Sequence, residues 1–192
     1  MLKVAIVGNI ASGKTTVERI IAGKGFKVYD SDKIAHELLS QSDAVKKMFA
    51  DDDIFTNNEV DRKKLGKIVF SDKKKLQLLE LILHPQIVTE LLKIFQRETG
   101  VVFVSVPQLF EAKMETLFDK KIFVTARKET RLQRLIERNG YTKEYALKRI
   151  EAQISDEEKI PLCDYIIDNN STLDALHNQT ELVISSIRSI TS

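Results

Sequence analysis

Gly8-Asn9-Ile10-Ala11-Ser12-Gly13-Lys14-Thr15 follows the run Leu2-Lys3-Val4-Ala5-Ile6-Val7 and precedes Val17, Ile20 and Ile21. The octapeptide satisfies G-x-x-x-x-G-K-[ST], the phosphate-binding P-loop. Average residue abundances make a chance match in a chain this long an event on the order of one percent. Its flanks strengthen it. Residues 2–7 are apolar and rich in β-branched side chains, which predicts a buried parallel strand. The i, i+3, i+4 spacing of Val17, Ile20 and Ile21 predicts a helix. In that setting successive backbone N–H groups turn inward as an anion nest at a helix N-terminus. Gly8, Ala11, Ser12, Gly13, Lys14, Thr15 and Thr16 are therefore the expected ATP-binding residues. Lys14 reaches the β- and γ-phosphates as a point charge, and the Thr15 hydroxyl is placed to hold Mg²⁺.

Beyond this opening, residues 27–29, 101–106, 121–125 and 164–167 read as further short strands linked through helices. This alternation predicts an α/β fold of the P-loop NTPase type, with a five-stranded parallel sheet flanked by helices. Ser171 is the expected cap of a last helix carrying Leu173, Leu176, Val183, Ile184 and Ile187 as its apolar stripe. Two connections are too long for plain crossovers. Residues 31–99 are almost wholly helical in pattern, with a break or restart expected at His84-Pro85; they read as a helical substrate-binding insertion. Residues 127–161 are helical and arginine-rich and read as a lid. The nucleotide-binding core is left as 1–30, 100–126 and 162–192.

Asp30-Ser31-Asp32 follows the second strand, where ligands of open α/β sheets sit. One carboxylate suits accepting a proton from a substrate hydroxyl, the other holding water around Mg²⁺; the triplet also suits an ordinary N-cap. Ser105-Val106-Pro107, at the end of the third predicted strand, carries no acid. The usual Walker B carboxylate is thus missing there, which leaves Asp30, Asp32 or Glu111 for its work. Arg131, Arg134 and Arg138 share one helical face, suited to clamping phosphates and equally to solvation beside Glu129 and Glu137. Arg149 raises the same alternatives. His84 suits helix capping as well as ligand contact.

Bulk properties narrow the partners. The 192 residues carry a net charge of +2, with acids and bases interspersed, so nothing points to nucleic acid. Lys73-Lys74-Lys75 reads as a solvated helix start. The single cysteine, Cys163, reads as a small core residue. Neither a signal pattern nor an 18-residue apolar run is present. The expectation is a cytoplasmic protein with no membrane contact and no obligate protein partner.

Along nearly its whole length the chain resembles the dephospho-CoA kinase family. The shared pieces are the P-loop; Asp30-Ser31-Asp32 with Ala35-His36; Asp61-Arg62-Lys63-Lys64-Leu65-Gly66-Lys67-Ile68-Val69-Phe70; His84-Pro85; Pro107-Gln108-Leu109-Phe110-Glu111; Arg131-Leu132 through Arg138; Ala146 to Gln153; and Ile167-Asp168-Asn169. The resemblance implies a nucleotide-kinase-like core with a helical CoA domain and a lid. It implies transfer of the γ-phosphate of ATP, with Mg²⁺, to the ribose 3′-hydroxyl of dephospho-CoA. By match, Asp32 is the candidate base, with Lys14 and Arg138 as further catalytic candidates and Asp30 joining Thr15 at the metal. His84, Leu109, Phe110 and Glu111 are candidate dephospho-CoA contacts. Arg138 and Arg149 are candidate lid contacts to ATP, and the Asn169 segment lies near the adenine. Asn9 and Ala11 depart from the family's usual glycines. Alanine enters left-handed conformations only at a cost, which predicts weaker phosphate binding. Gln108 replaces a leucine. Another small-metabolite or nucleoside kinase on this scaffold is the alternative reading. A nucleotide switch is disfavoured, since no Asn-Lys-x-Asp motif is present and no Asp-x-x-Gly follows the third strand.

Overall fold

A computed structural model describes residues 1–56 and 59–191. The order of elements is β1 (Leu2–Val7), α1 (Lys14–Gly23), β2 (Lys27–Asp30), α2 (Ser31–Gln41), α3 (Asp43–Met48), β3 (Phe55–Thr56), β4 (Glu59–Val60), α4 (Arg62–Ser71), α5 (Lys73–Arg97), β5 (Val101–Ser105), β6 (Lys120–Thr125), α6 (Lys128–Asn139), α7 (Lys143–Glu151), α8 (Asp156–Lys159), β7 (Tyr165–Asp168) and α9 (Leu173–Thr191). The chain divides into two compact units, Met1–Asp30 with Glu98–Ser192, and Ser31–Arg97.

The first unit is built on a five-stranded sheet in the order β2-β5-β1-β6-β7. All four strand pairings are parallel. β1 lies at the centre, and Val4, Ala5, Ile6 and Val7 are fully buried, as expected of a strand covered on both faces. Helices α1 and α9 pack against one another. Their Val17, Ile21, Leu176, Val183, Ile184 and Ile187 join Val4, Ile6, Phe103, Ile122, Val124 and Ile167 in one apolar core. Each such side chain contributes roughly 1.5–3 kcal/mol relative to exposure. Strand order reverses around β1: the chain reaches β2 and β5 on one side, then β6 and β7 on the other. Ligands of open α/β sheets bind beyond the carboxyl ends of strands at such a switch point, and residues 8–13 stand there.

The second unit is mainly helical. α2, α3 and α4 each pack on α5. Phe49, Ile54, Leu65 and Leu91 are almost completely buried. Asp61 caps α4 by accepting from the Lys63 and Lys64 amides. Those two backbone bonds hold its carboxyl below the ordinary value. Asp72 does the same for Lys74 and Lys75 as α5 begins, and Lys75 pairs with Asp52; the lysine run is a capped, ion-paired helix start.

Two local expectations are corrected, at Pro85 and at the start of α9. α5 runs without interruption through Pro85. Proline cannot donate to the Leu81 carbonyl, yet buried Leu83, Ile87 and Leu91 hold the adjoining turns in place. The side chain of Gln86 also donates to the Ile82 carbonyl at 3.0 Å. Residues 31–99 are mostly helical, as the pattern indicates, and between α3 and α4 the strands β3 and β4 form a two-stranded antiparallel ladder pairing Phe55 with Val60. α9 is capped by Thr172 rather than Ser171, its hydroxyl accepting from the Ala175 amide at 3.2 Å, and Leu173 points into solvent, 65% exposed. The helix starts one residue later than the Ser171 pattern suggested, which turns Leu173 off the buried face.

The cap assignment is testable by urea unfolding. Thr172→Ala should cost about 1 kcal/mol, the usual loss at an N-cap, whereas Ser171→Ala should leave the unfolding midpoint almost unchanged.

Candidate active site

The loop between β1 and α1 is shaped by close approach. A Cβ on Gly8 would lie 2.4 Å from the Val124 carbonyl oxygen, and one on Gly13 would lie 2.0 Å from Asn169 Nδ2. Gly13 also sits at φ +100°, so no other residue fits there without displacing its neighbours. Ala11 adopts φ +61°, a left-handed state costing an alanine about 1 kcal/mol. Its surroundings supply a reason: Ile10 and Ala11 pack against the apolar cluster of Leu135, Ala146 and Ile150 from α6 and α7.

The outer side of the loop is lined with donors. Arg131 Nε donates to the Ile10 carbonyl at 3.0 Å, and Arg134 Nη1 donates to the carbonyls of Ala11 at 3.1 Å and Ser12 at 3.3 Å. Asn169 Nδ2 donates to the Ser12 carbonyl at 2.8 Å, while the Asn169 carbonyl accepts from Arg134 Nη2 at 3.2 Å. A trans peptide points its N–H opposite to its C=O. Drawing the carbonyls of Ile10 and Ser12 outward therefore turns the N–H groups of Ala11 and Gly13 to the inner side. Lys14 Nζ lies across that side and donates to the Gly8 carbonyl at 2.6 Å. The Ser12 hydroxyl is buried without a protein partner. Inward amides, a lysine and an orphaned hydroxyl form a cradle for an anion.

A second layer of polar groups lies behind. Asn9, 2% exposed, donates through Nδ2 to the Ile154 carbonyl at 2.9 Å and to Asp156 Oδ1 at 2.6 Å. Its Oδ1 accepts from Lys159 Nζ at 2.9 Å. The fully buried Lys159 also pairs with Glu111 at 2.6 Å. Asp156 further accepts from Thr125 Oγ1 at 2.5 Å and Arg131 Nη1 at 3.1 Å. Burial pushes the Arg131 guanidinium below its ordinary value, and the Asp156 charge acts against that shift. The Ile10 amide donates to Gln153 Oε1 at 2.7 Å. A cleft of about 480 Å³ opens beside the loop, with Asn9, Arg127, Arg131, Gln153, Asp168 and Asn170 among its lining.

Sequence candidates fall into distinct places. Arg131 and Arg134 are joined to the loop, whereas Arg138, on the same helix, is exposed and donates to Asn139 Oδ1. Arg149 is half-buried in α7. Asn169 is buried and its amide is engaged with the loop. Leu109 is fully buried, Phe110 half-buried, and Glu111 is held by Lys159. Asp30 ends β2 in register with Ser105. In the other unit, Asp32 is exposed in the first turn of α2 and His84 is half-buried within α5. Burial pushes the Cys163 thiol up to about 11, so it is protonated at neutral pH and unsuited to nucleophilic work.

The sequence reading missed Asp156, Lys159 and the constructive part played by Asn9. The one sequence signal was asparagine at position 9, where the family usually has glycine; only tertiary structure brings residues 9, 111 and 159 together.

For Mg²⁺, the Thr15 hydroxyl beside the loop is a hard oxygen donor of the kind this ion takes. Among the described residues no three His, Cys, Asp or Glu side chains gather as a metal cluster.

Fold and site together define a P-loop kinase. The sequence pattern of the dephospho-CoA kinase family matches residues 2–175, and the chain belongs to that family. A dephospho-CoA kinase from Fusobacterium nucleatum is 38% identical over 182 residues, covering 93% of this chain and 94% of the relative. Among solved structures, a dephospho-CoA kinase from Campylobacter jejuni superposes with a TM-score of 0.76 at 32% identity, covering 99% of this chain and 98% of its own. A Thermus thermophilus protein superposes with a TM-score of 0.84 at 30% identity, covering 96% and 97%. Among the described residues no helix is long and apolar enough to cross a membrane.

The layer behind the loop is testable through Asn9. Asn9→Ala removes one of the two acceptors of a fully buried lysine and two donated hydrogen bonds. Stability should fall by at least about 2 kcal/mol, the cost of leaving buried polar groups unpaired, as read by urea unfolding. ATP affinity should fall with it, as the loop loses its tie to residues 154–159.

Proposed function

We propose that this chain phosphorylates the ribose 3′-hydroxyl of dephospho-CoA with ATP, forming coenzyme A and ADP. The observation that carries the reading is the inward-facing loop of residues 8–15 within a chain of the dephospho-CoA kinase family. The acceptor hydroxyl attacks the γ-phosphorus. A new P–O bond forms, the bond to the β–γ bridging oxygen breaks, and the hydroxyl proton passes to Asp32.

The loop amides and the Ser12 hydroxyl bind the β- and γ-phosphates, and Lys14 exchanges its Gly8 carbonyl for them. Thr15 and Asp30 would hold Mg²⁺, which would supply charge neutralisation at the transferred group. Asp32 orients the 3′-hydroxyl; a loose transition state needs little base strength, so positioning is its main contribution. Residues 31–99 receive dephospho-CoA, with His84 as a contact, joined by Leu109, Phe110 and Glu111. The deep burial of Leu109 limits it to shaping the wall, and the Lys159 pair fixes the Glu111 carboxylate in place. Residues 127–161 act as the lid, Arg138 and Arg149 meeting ATP phosphates on closure. The exposure of Arg138 is consistent with a side chain that engages only then. The Asn169 amide serves the loop, so adenine contact by that segment falls to its neighbours. A cytoplasmic setting fits both substrates.

The deciding assay supplies ATP and Mg²⁺ with dephospho-CoA in parallel with nucleoside monophosphates. Coenzyme A formation without monophosphate phosphorylation is the expected result; the reverse would overturn the reading. In the same assay Lys14→Ala should lower turnover at least ~10²-fold, the loss typical of one electrostatic stabiliser. Asp32→Asn keeps the side chain's size but cannot take the proton. It should lower the single-turnover rate by ~10²–10⁴-fold, with Mg·ATP binding by calorimetry little changed.

A further inference from the structure

In P-loop NTPases the metal beside the phosphates is held by the loop Ser or Thr and by an acid at the end of a nearby strand. β5 is the strand adjacent to β1, pairing Ser105 with Ile6. Its end carries no acid: the chain reads Ser105-Val106-Pro107. Ser105 is 3% exposed, and its hydroxyl donates to Glu18 Oε1 at 2.6 Å. That bond fixes a carboxylate at the carboxyl end of β5, contributed from a different element.

Glu18 lies in α1, three residues beyond Thr15. Residues three apart on a helix are surface neighbours. Helical side chains also lean toward the N-terminus of their helix, which carries the Glu18 carboxylate back toward the turn that bears Thr15. On the other side of Ser105, its register partner across β2 and β5 is Asp30. The end of β5 is thus flanked by a carboxylate on α1 and another on β2, with the loop hydroxyl on the same helix face as the first.

We propose that the strand acid of this chain has been relocated: Glu18, held by Ser105, supplies the carboxylate that completes the Mg²⁺ shell beside Thr15. Serine at position 105 is then not a gap in the site. It is the donor that aims a longer acidic side chain from α1 to the place where a strand aspartate would otherwise stand. A carboxylate accepting one hydroxyl bond retains lone pairs for the ion or for its bound water.

This assignment rests on the kinase reading, and its test separates the two. ATP affinity is measured by calorimetry in EDTA and in saturating Mn²⁺, and Mn²⁺ affinity of the ATP complex by electron paramagnetic resonance. In Glu18→Gln the amide oxygen still accepts from Ser105, but the charge is gone. Mn²⁺ affinity should fall at least about tenfold, the scale of one lost charge-assisted contact, with metal-free ATP affinity within about twofold of wild type. Adding Ser105→Asp to Glu18→Gln should return Mn²⁺ affinity to within about threefold of wild type by restoring an acid at the strand end.

Wild-type Mn²⁺ affinity in Glu18→Gln overturns the assignment and leaves the kinase reading intact. An equal loss of ATP affinity with and without Mn²⁺ also overturns it, making Glu18 a scaffold residue. So does a folded double variant that does not recover. A wild-type chain whose ATP affinity is indifferent to Mn²⁺ overturns both readings.

Discussion

A loop that binds phosphate through its backbone must turn its N–H groups toward the ligand, and the carbonyls it turns away must find donors elsewhere. Here that requirement organises the surrounding structure. Arg131 and Arg134 take the carbonyls of Ile10, Ala11 and Ser12, and Asn169 takes that of Ser12 again. α6 must therefore begin beside the loop, and the turn after β7 must close against Gly13. Only glycine at position 13 allows the Asn169 amide to come so near. The cradle is held open before any ligand arrives, so little reorganisation is left for binding.

The cost of this arrangement is a layer of buried charge. Lys159 and Arg131 are both inaccessible, and removing such groups from water is expensive unless each is paired. Asp156, Glu111 and the Asn9 amide provide those partners, so the network is coupled: Asn9, which accepts from Lys159, also connects the loop to Ile154 and Asp156. An asparagine where the family usually has glycine becomes the junction of that network. Ala11 shows the same balance. Its left-handed backbone is unfavourable by itself, but its methyl group packs on α6 and α7 and its carbonyl is held by Arg134.

The arginine-rich segment consequently has two characters along one helix. Its first turns are bound to the loop by Arg131 and Arg134, while Arg138, farther along, remains exposed. An i, i+3, i+7 stripe looks uniform in sequence, yet its members do different work, because only the near end of α6 reaches the loop's carbonyls.

The sequence by itself determined the class of fold and the position of the phosphate site. A strand of continuous apolar residues, a glycine loop and a helical repeat are all encoded within about twenty neighbouring positions, where local rules suffice. β1, β5 and β6 were equally legible, since buried parallel strands are apolar without interruption; β2 and β7, at the sheet edges and less fully buried, showed as shorter apolar runs. Tertiary structure decided the rest. Pro85 stays helical because buried side chains on both sides outweigh one missing hydrogen bond. Thr172 rather than Ser171 caps α9, a choice of one residue that depends on how the helix docks. The assembly of Asn9, Glu111, Asp156 and Lys159, and the bond from Ser105 to Glu18, join residues separated by 48 to 150 positions in the first case and 87 in the second. No local pattern specifies such pairs: they exist because folding places opposite hydrogen-bonding needs in the same water-poor space, where each must satisfy the other.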